Sequence, residues 1–313
     1  MAQSLATVFG GSGFIGRYVV ANLARKGWLV RAAVRRPDEA LFLKTSGVIG
    51  QVTPVAANVR DRPSVARAIE GADAVVNLVG ILHESGRQRF QAVQAEGARH
   101  IAEEAARAGA AHLVHISAIG ADPKSDSAYA RTKAEGEAAV RQAFPKATIL
   151  RPSIVFGPED DFFNRFAKLS RIAPALPLIG GGATRFQPVY VGDVAEAVVR
   201  AIEAPAVAGQ TYELGGPKIY RFADLMRLLL QETGRKRLLV PVPFPIASLM
   251  GAVLQCLPSP QLTLDQVRLL KRDNVAREGA AGLKELGIVP TSVEAILPTY
   301  LDRYRARGYY HRA

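Results

Sequence analysis

Tyr129 and Lys133 stand four residues apart in the segment YARTK. On a helix that spacing puts both side chains on one face. An ammonium beside a phenol favours the phenolate and draws its pKa down from about 10, which acid–base work near neutrality requires. Such a pair is common by chance, so its meaning depends on what precedes it. Upstream, Gly10, Gly13 and Gly16 in GGSGFIG have the spacing of a dinucleotide phosphate loop. The first glycine allows a tight turn, the second lets a pyrophosphate approach the backbone, and the third lets helix pack on strand. The start of the following helix offers free N–H groups and a partial positive charge to the phosphates. An ordinary glycine turn is the alternative. The place of the loop, between a strand-like run and a helical pattern, favours the phosphate reading.

The second strand-like run ends in Arg35 and Arg36. An NAD site normally has a carboxylate here to accept from the ribose hydroxyls. Arginine cannot accept a hydrogen bond, but it pairs with a 2′-phosphate. The cofactor expected is therefore NADPH, with Arg17 as a further candidate for the pocket.

These residues need a frame. Apolar runs at Leu5–Phe9, Trp28–Val34, Val52–Val55, Ala74–Val79, Leu113–Ser117 and Thr148–Val155 read as strands. Between them, Phe14–Lys26, Pro63–Glu70, Gln88–Ala108 and Ser127–Phe144 carry helical periodicity. Pro54 marks the third strand as weak or at an edge. The alternation predicts an α/β fold: a doubly wound parallel Rossmann sheet with a smaller C-terminal α/β lobe. We expect a nucleotide-binding domain over 1–157 and a substrate-like or partner-docking lobe over 158–313. Helices are expected at Val194–Ala204, Phe222–Glu232 and Leu264–Arg272, and a strand near Thr211–Leu214 is a candidate to rejoin the main sheet.

The 313 residues carry 40 Lys and Arg against 28 Asp and Glu, a net charge of +12, and are 49% hydrophobic. That composition excludes a disordered or collagen-like chain. Residues 1–60 hold 8 basic and 2 acidic side chains, and the remaining excess is spread thinly. A phosphate-bearing ligand near the N-terminus explains this asymmetry better than nucleic acid, for which cations and aromatics would cluster on one element. Cys256 is the single cysteine, so no internal disulfide framework exists. Neither a leader nor a run long enough to span a bilayer is expected. His83, His100, His112, His115 and His311 show no ligand spacing, and no metal site is expected.

Together GGSGFIG, ISAIG, YARTK, LRPSIVFGP and QPVYVGDVAEAV resemble the extended and atypical short-chain dehydrogenase/reductases, over most of the chain to about Gly216. Within that superfamily, VVNLVGILHESGRQRF, ILRPSIVFGPEDDFFNRF and RFQPVYVGDVAEAV are similar to the family of the NADPH-binding accessory subunit of respiratory complex I. The resemblance implies a phosphate loop at Gly10, Ser12, Gly13, Phe14, Ile15 and Gly16, and a 2′-phosphate site at Arg35 and Arg36. It implies an adenine edge at Asn58 and Val59, where active relatives usually have Asp in place of Asn58. Val79 and Gly80 would flank the adenosine ribose, and Pro152 through Ile154 would lie against the nicotinamide. Tyr129 and Lys133 match the active pair. Active members usually end the fifth strand with two hydroxyl residues, and this chain has Ser117 followed by Ala118. Ser117 then matches the cofactor-side hydroxyl and Ala118 stands at the catalytic one. With the register shifted by one residue, Ser117 itself serves.

From Leu238 to Leu264 there is no charged residue, while Arg235, Lys236 and Arg237 precede the stretch and Arg268, Lys271 and Arg272 follow it. Its centre, Phe244–Leu257, suits either an anionic membrane surface or membrane-embedded partner, or a plain core helix. The resemblance favours docking. The expectation is an NADPH-binding, structural accessory subunit of NADH:quinone oxidoreductase, with other subunits of the complex as partners. Its place would be peripheral, on the cytoplasmic face of a bacterial inner membrane or the matrix side if mitochondrial. A freestanding NADP-dependent reductase or epimerase, with Tyr129 as acid or base and Lys133 orienting ribose, is the alternative. A redox sensor that changes partners with cofactor occupancy is a third.

Overall fold

The computed structural model describes residues 3–255, 257 and 260–305; Cys256 and His311 lie outside the described residues. The chain forms two compact units. The first gathers residues 3–152 together with Val191–Glu213 and Ala280–Ile288. The second holds, among the described residues, Ser153–Tyr190, Leu214–Gly279 and 289–305.

The first unit is built on strands β1 (Leu5–Phe9), β2 (Leu29–Val34), β3 (Val52–Ala56), β4 (Ala74–Asn77), β5 (His112–Ile116), β6 (Thr148–Pro152) and β7 (Thr211–Leu214). They lie in the order β7-β6-β5-β4-β1-β2-β3. From β3 across to β6 every pairing is parallel. The interior strands β1, β4 and β5 are almost wholly buried, as expected when both faces are covered by helices. Pro54 sits in β3, at the edge of the sheet, where a missing N–H costs least.

Helices α1 (Phe14–Arg25), α2 (Arg62–Ile69), α3 (Glu96–Arg107), α4 (Ala128–Ala143) and α5 (Val191–Glu203) flank the sheet. One core layer joins Phe9, Val65, Ile69, Val75, Ile101, Leu113 and Val140. Each such side chain, fully buried, contributes about 1.5–3 kcal/mol. In α4, a Cβ at Gly136 would fall 2.3 Å from the Gln94 carbonyl oxygen, so only glycine permits this approach of backbone to backbone.

The helical pattern over Gln88–Ala108 resolves into a π-helical turn, Gln91–Ala95, running into α3. The run Ala74–Val79 ends as strand at Asn77, leaving Leu78–Gly80 as loop. The run Thr148–Val155 breaks after Pro152, and a two-residue strand follows at Val155–Phe156. The break has a polar cause. Asn274 Oδ1 accepts from the Ser153 hydroxyl at 2.7 Å and from the Ile154 amide at 2.9 Å, drawing that backbone off a ladder. A 3₁₀ segment, Pro37–Ser46, lacked a sequence signal because its apolar residues follow no helical period.

In the second unit, Phe156, Phe163, Leu176, Phe222, Met226 and Leu297 form the core. The uncharged stretch forms a strand, Leu238–Val242, and a helix, Phe244–Leu254. No helix among the described residues is long and apolar enough to cross a membrane.

Candidate functional site

Strand order reverses between β1 and β4, and ligands of such sheets bind beyond the carboxyl ends of strands at that switch point. The chain leaving β1 there is the glycine loop. Gly10 has φ +79°, which L side chains rarely adopt, and its carbonyl accepts from the Gly13 amide at 3.0 Å. A Cβ on Gly16 would fall 2.2 Å from the Gly10 oxygen. Helix α1 therefore starts hard against β1, at Gly13, with no side-chain cap and no acidic residue in its first turn. Its first N–H groups and positive dipole end are available to an anion flanked by Ser12, Phe14 and Ile15.

The loop after β4 forms the facing wall. A Cβ on Gly10 would lie 3.4 Å from Val79 Cγ2, and one on Gly80 would lie 3.3 Å from Lys133 Nζ. The phosphate loop, Val79, Gly80 and Lys133 are thus brought to the ends of adjacent strands.

Arg35 and Arg36 leave the end of β2 exposed. Arg35 donates to Gln88 Oε1 at 2.7 Å, and Arg36 forms an ion pair with Glu39 at 2.7 Å. That pair is 75% and 67% exposed, so it holds Arg36 only weakly. Arg17 lies over the Phe42 ring at 5.1 Å. Asn58 Oδ1 accepts from the Arg60 amide at 3.2 Å, and Val59 is buried.

The tyrosine–lysine pair departs from expectation. Lys133 is buried in α4 and donates to the Ile116 carbonyl at 3.1 Å. Burial pushes its ammonium down to about 8, opposed by the charge of Glu137. Tyr129 packs edge-on against Phe90 at 5.9 Å, and burial pushes its phenol up to about 12. The expected lowering of the phenol is not found, because desolvation disfavours the phenolate and the ammonium stands 6.0 Å from the ring centroid.

Ser117 follows β5, buried, with an Oγ that has no partner among the described residues. An orphaned hydroxyl at a strand end is what a cofactor-facing group looks like before its ligand is counted. Together with the glycine cradle and the uncapped helix start, it fits a dinucleotide. Ala118 comes next and offers no hydroxyl. Pro152 is buried at the end of β6. Ile154 belongs to the second unit, and its amide already serves Asn274.

Residues 6–215 match the NAD dependent epimerase/dehydratase family. The chain belongs to that family. Over 97% of its length it is 38% identical to mitochondrial NADH dehydrogenase [ubiquinone] 1 alpha subcomplex subunit 9 of Arabidopsis thaliana, covering 79% of that protein. It is also 30% identical to a ceramide reductase of Caulobacter vibrioides, over 81% of this chain and 78% of that one. Among solved structures, the NAD-bound dTDP-glucose 4,6-dehydratase DesIV of Streptomyces venezuelae superposes with a TM-score of 0.73 at 21% identity, covering 98% of this chain and 99% of that one. That likeness shows the epimerase/dehydratase fold.

Sequence reasoning gave no role to two polar residues at this site: it named His115 only to set it aside as a metal ligand, and it did not single out Asn77. Asn77 closes β4 and His115 lies in β5, and both are buried. The available signal was an asparagine closing the apolar run AVVN and a histidine inside the strand HLVHI.

Proposed function

We propose that this chain is an NADPH-binding accessory subunit of a respiratory NADH:quinone oxidoreductase, in which the dinucleotide is a fixed structural element. The observation that carries the reading is the near full-length similarity to alpha subcomplex subunit 9. The site agrees with it. When bound, NADPH is a hydride donor. The chain's own residues bind and orient it: the start of α1 takes the diphosphate, Arg35 and Arg36 the 2′-phosphate, and Ser117 and Lys133 the nicotinamide side. A phenol pushed up to about 12 and Ala118 at the second hydroxyl position favour holding the cofactor over using it.

The second unit supplies a docking face. On the helix Phe244–Leu254, Ile246, Leu249, Met250 and Val253 follow helical spacing and are 54%, 69%, 38% and 64% exposed. The opposite side, Ala247 and Gly251, is buried. Between Glu232 and Asp265 the only charges are Arg235, Lys236 and Arg237. An apolar stripe with basic neighbours suits an anionic membrane surface, beside the other subunits of the complex.

The test is native electrophoresis of mildly solubilised membranes from the source cell, probed for this chain. Comigration with NADH:quinone oxidoreductase activity is expected. A freely migrating soluble chain overturns the reading. The intact Tyr129–Lys133 pair and the ceramide reductase relative favour a second one, an NADP-dependent reductase. Robust NADPH oxidation by the purified chain with a carbonyl substrate would support it.

A further inference from the structure

His115 and Asn77 are register partners on β5 and β4. The Asn77 amide nitrogen lies 3.0 Å from His115 Nδ1. Asn77 Oδ1 accepts from the Val79 amide at 3.1 Å. The second bond fixes the orientation of the first: with its oxygen on Val79, Asn77 presents NH₂ to the imidazole and donates. Nδ1 is then the acceptor, and the ring proton sits on Nε2, a buried atom without a partner among the described residues.

This arrangement requires a neutral imidazole, because a protonated Nδ1 cannot accept. The surroundings supply that. His115 is buried, and the positive charge of Lys133, bonded to the next carbonyl along β5, acts on it. Burial and that charge hold the ring well below its ordinary pKa. The amide so fixed belongs to Val79, whose Cγ2 and backbone nitrogen would lie 3.4 and 3.5 Å from a Cβ on Gly10. The contacts therefore run from His115 through Asn77 and Val79 to the first glycine of the phosphate loop.

We propose that His115 is a positioning residue for the dinucleotide site. It holds Asn77, and Asn77 holds the loop Val79–Gly80 at its distance from Gly10. The proposal rests on the dinucleotide reading of the loop and concerns how its facing wall is kept in place.

The experiment compares the full chain with Asn77→Ala, His115→Phe and His115→Gln, in which a glutamine oxygen can replace Nδ1 as acceptor. NADPH affinity is measured by fluorescence titration, and exchange of the Val79 amide by hydrogen–deuterium exchange. Leu113→Ala, in the same strand, serves as a destabilised control of similar melting temperature. The expected result is a loss of about tenfold or more in NADPH affinity for Asn77→Ala and His115→Phe, equal to one hydrogen bond, with faster Val79 exchange in both. His115→Gln should recover most of each, and Leu113→Ala should show neither change. Wild-type affinity in all variants, or an equal loss in Leu113→Ala, overturns the proposal. Failure of the wild-type chain to bind NADPH instead overturns the dinucleotide reading, and Val79 exchange still reports on the histidine. Should His115→Phe fail to fold, Asn77→Ala and His115→Gln carry the comparison.

Discussion

Lys133 gives its hydrogen bond to the Ile116 carbonyl, and its Nζ stands 6.0 Å from the ring centroid of Tyr129. Sharing a helix face is therefore not enough to activate the phenol. The ammonium lies against the backbone at the end of β5 and under Gly80, and desolvation dominates both groups: Tyr129 is pushed up and Lys133 down.

The shift in Lys133 has a signature in stability. A cation whose folded pKa is depressed to about 8 from 10.5 costs stability while it is charged, so stability falls as pH drops from about 10.5 through 8 and then levels. The difference in pKa corresponds to roughly 3 kcal/mol as an upper bound. Chemical denaturation at pH 7.5 and 10 should show wild type gaining on Lys133→Met over that window. Parallel curves for the two proteins would remove the basis for a desolvated lysine.

Cofactor choice should follow Arg35 more than Arg36. Arg36 already has Glu39 as a partner, whereas the Arg35 guanidinium donates to the neutral Gln88 side chain. A charge-assisted bond is worth about 1.5–3 kcal/mol, or roughly 10- to 150-fold in affinity. Titration with both cofactors should show Arg35→Asp weakening NADPH by that factor while NADH changes little. Arg36→Ala should have the smaller effect. Equal loss of both cofactors would place these arginines away from the 2′-phosphate.

Gly16→Ala should abolish binding through the backbone. Its new methyl would meet the Gly10 oxygen at 2.2 Å and the Gly11 Cα at 2.7 Å, and neither can swing aside as a side-chain tip would. Overpacking of this kind costs about 1–3 kcal/mol in stability, and the moved helix start no longer presents its N–H groups to the loop. Isothermal titration should find no NADPH binding in a protein that still folds. Wild-type affinity would mean that the loop is not the phosphate site.

How much of this was legible in the sequence depends on whether the signal was local. The glycine loop, the edge position of Pro54 and the alternation of strand and helix rest on short-range rules, and β1 through β6 each overlap the apolar run that predicts them. The end of β6 was not legible, because Asn274, 120 residues away, takes the Ile154 amide. The phenol of Tyr129 was misread for the same kind of reason. Spacing reports which residues share a face, but desolvation depends on Phe90 and the packing around it. Asn77 and His115 needed the β4–β5 register before either had a meaning.

Exposure sets the helix Phe244–Leu254 apart from a core helix. A core helix would bury its apolar side, yet Ile246, Leu249 and Val253 are more than half exposed while the small residues Ala247 and Gly251 make the protein contact. A Cβ on Gly251 would lie 3.0 Å from the Leu264 amide nitrogen, so the helix is held close on that side and cannot roll its stripe inward. Lys271 stands 6.0 Å over the Phe244 ring and brings a cation to the start of the stripe. Sedimentation with vesicles containing anionic lipid should retain the wild-type chain at low salt and release much of it as salt screens the basic flanks. Leu249→Glu with Val253→Glu should cut retention by about tenfold or more with little change in melting temperature, since both sites are solvent-facing. Retention that is unaffected by the double substitution, or that is equal on neutral vesicles, would assign the stripe to a protein partner instead.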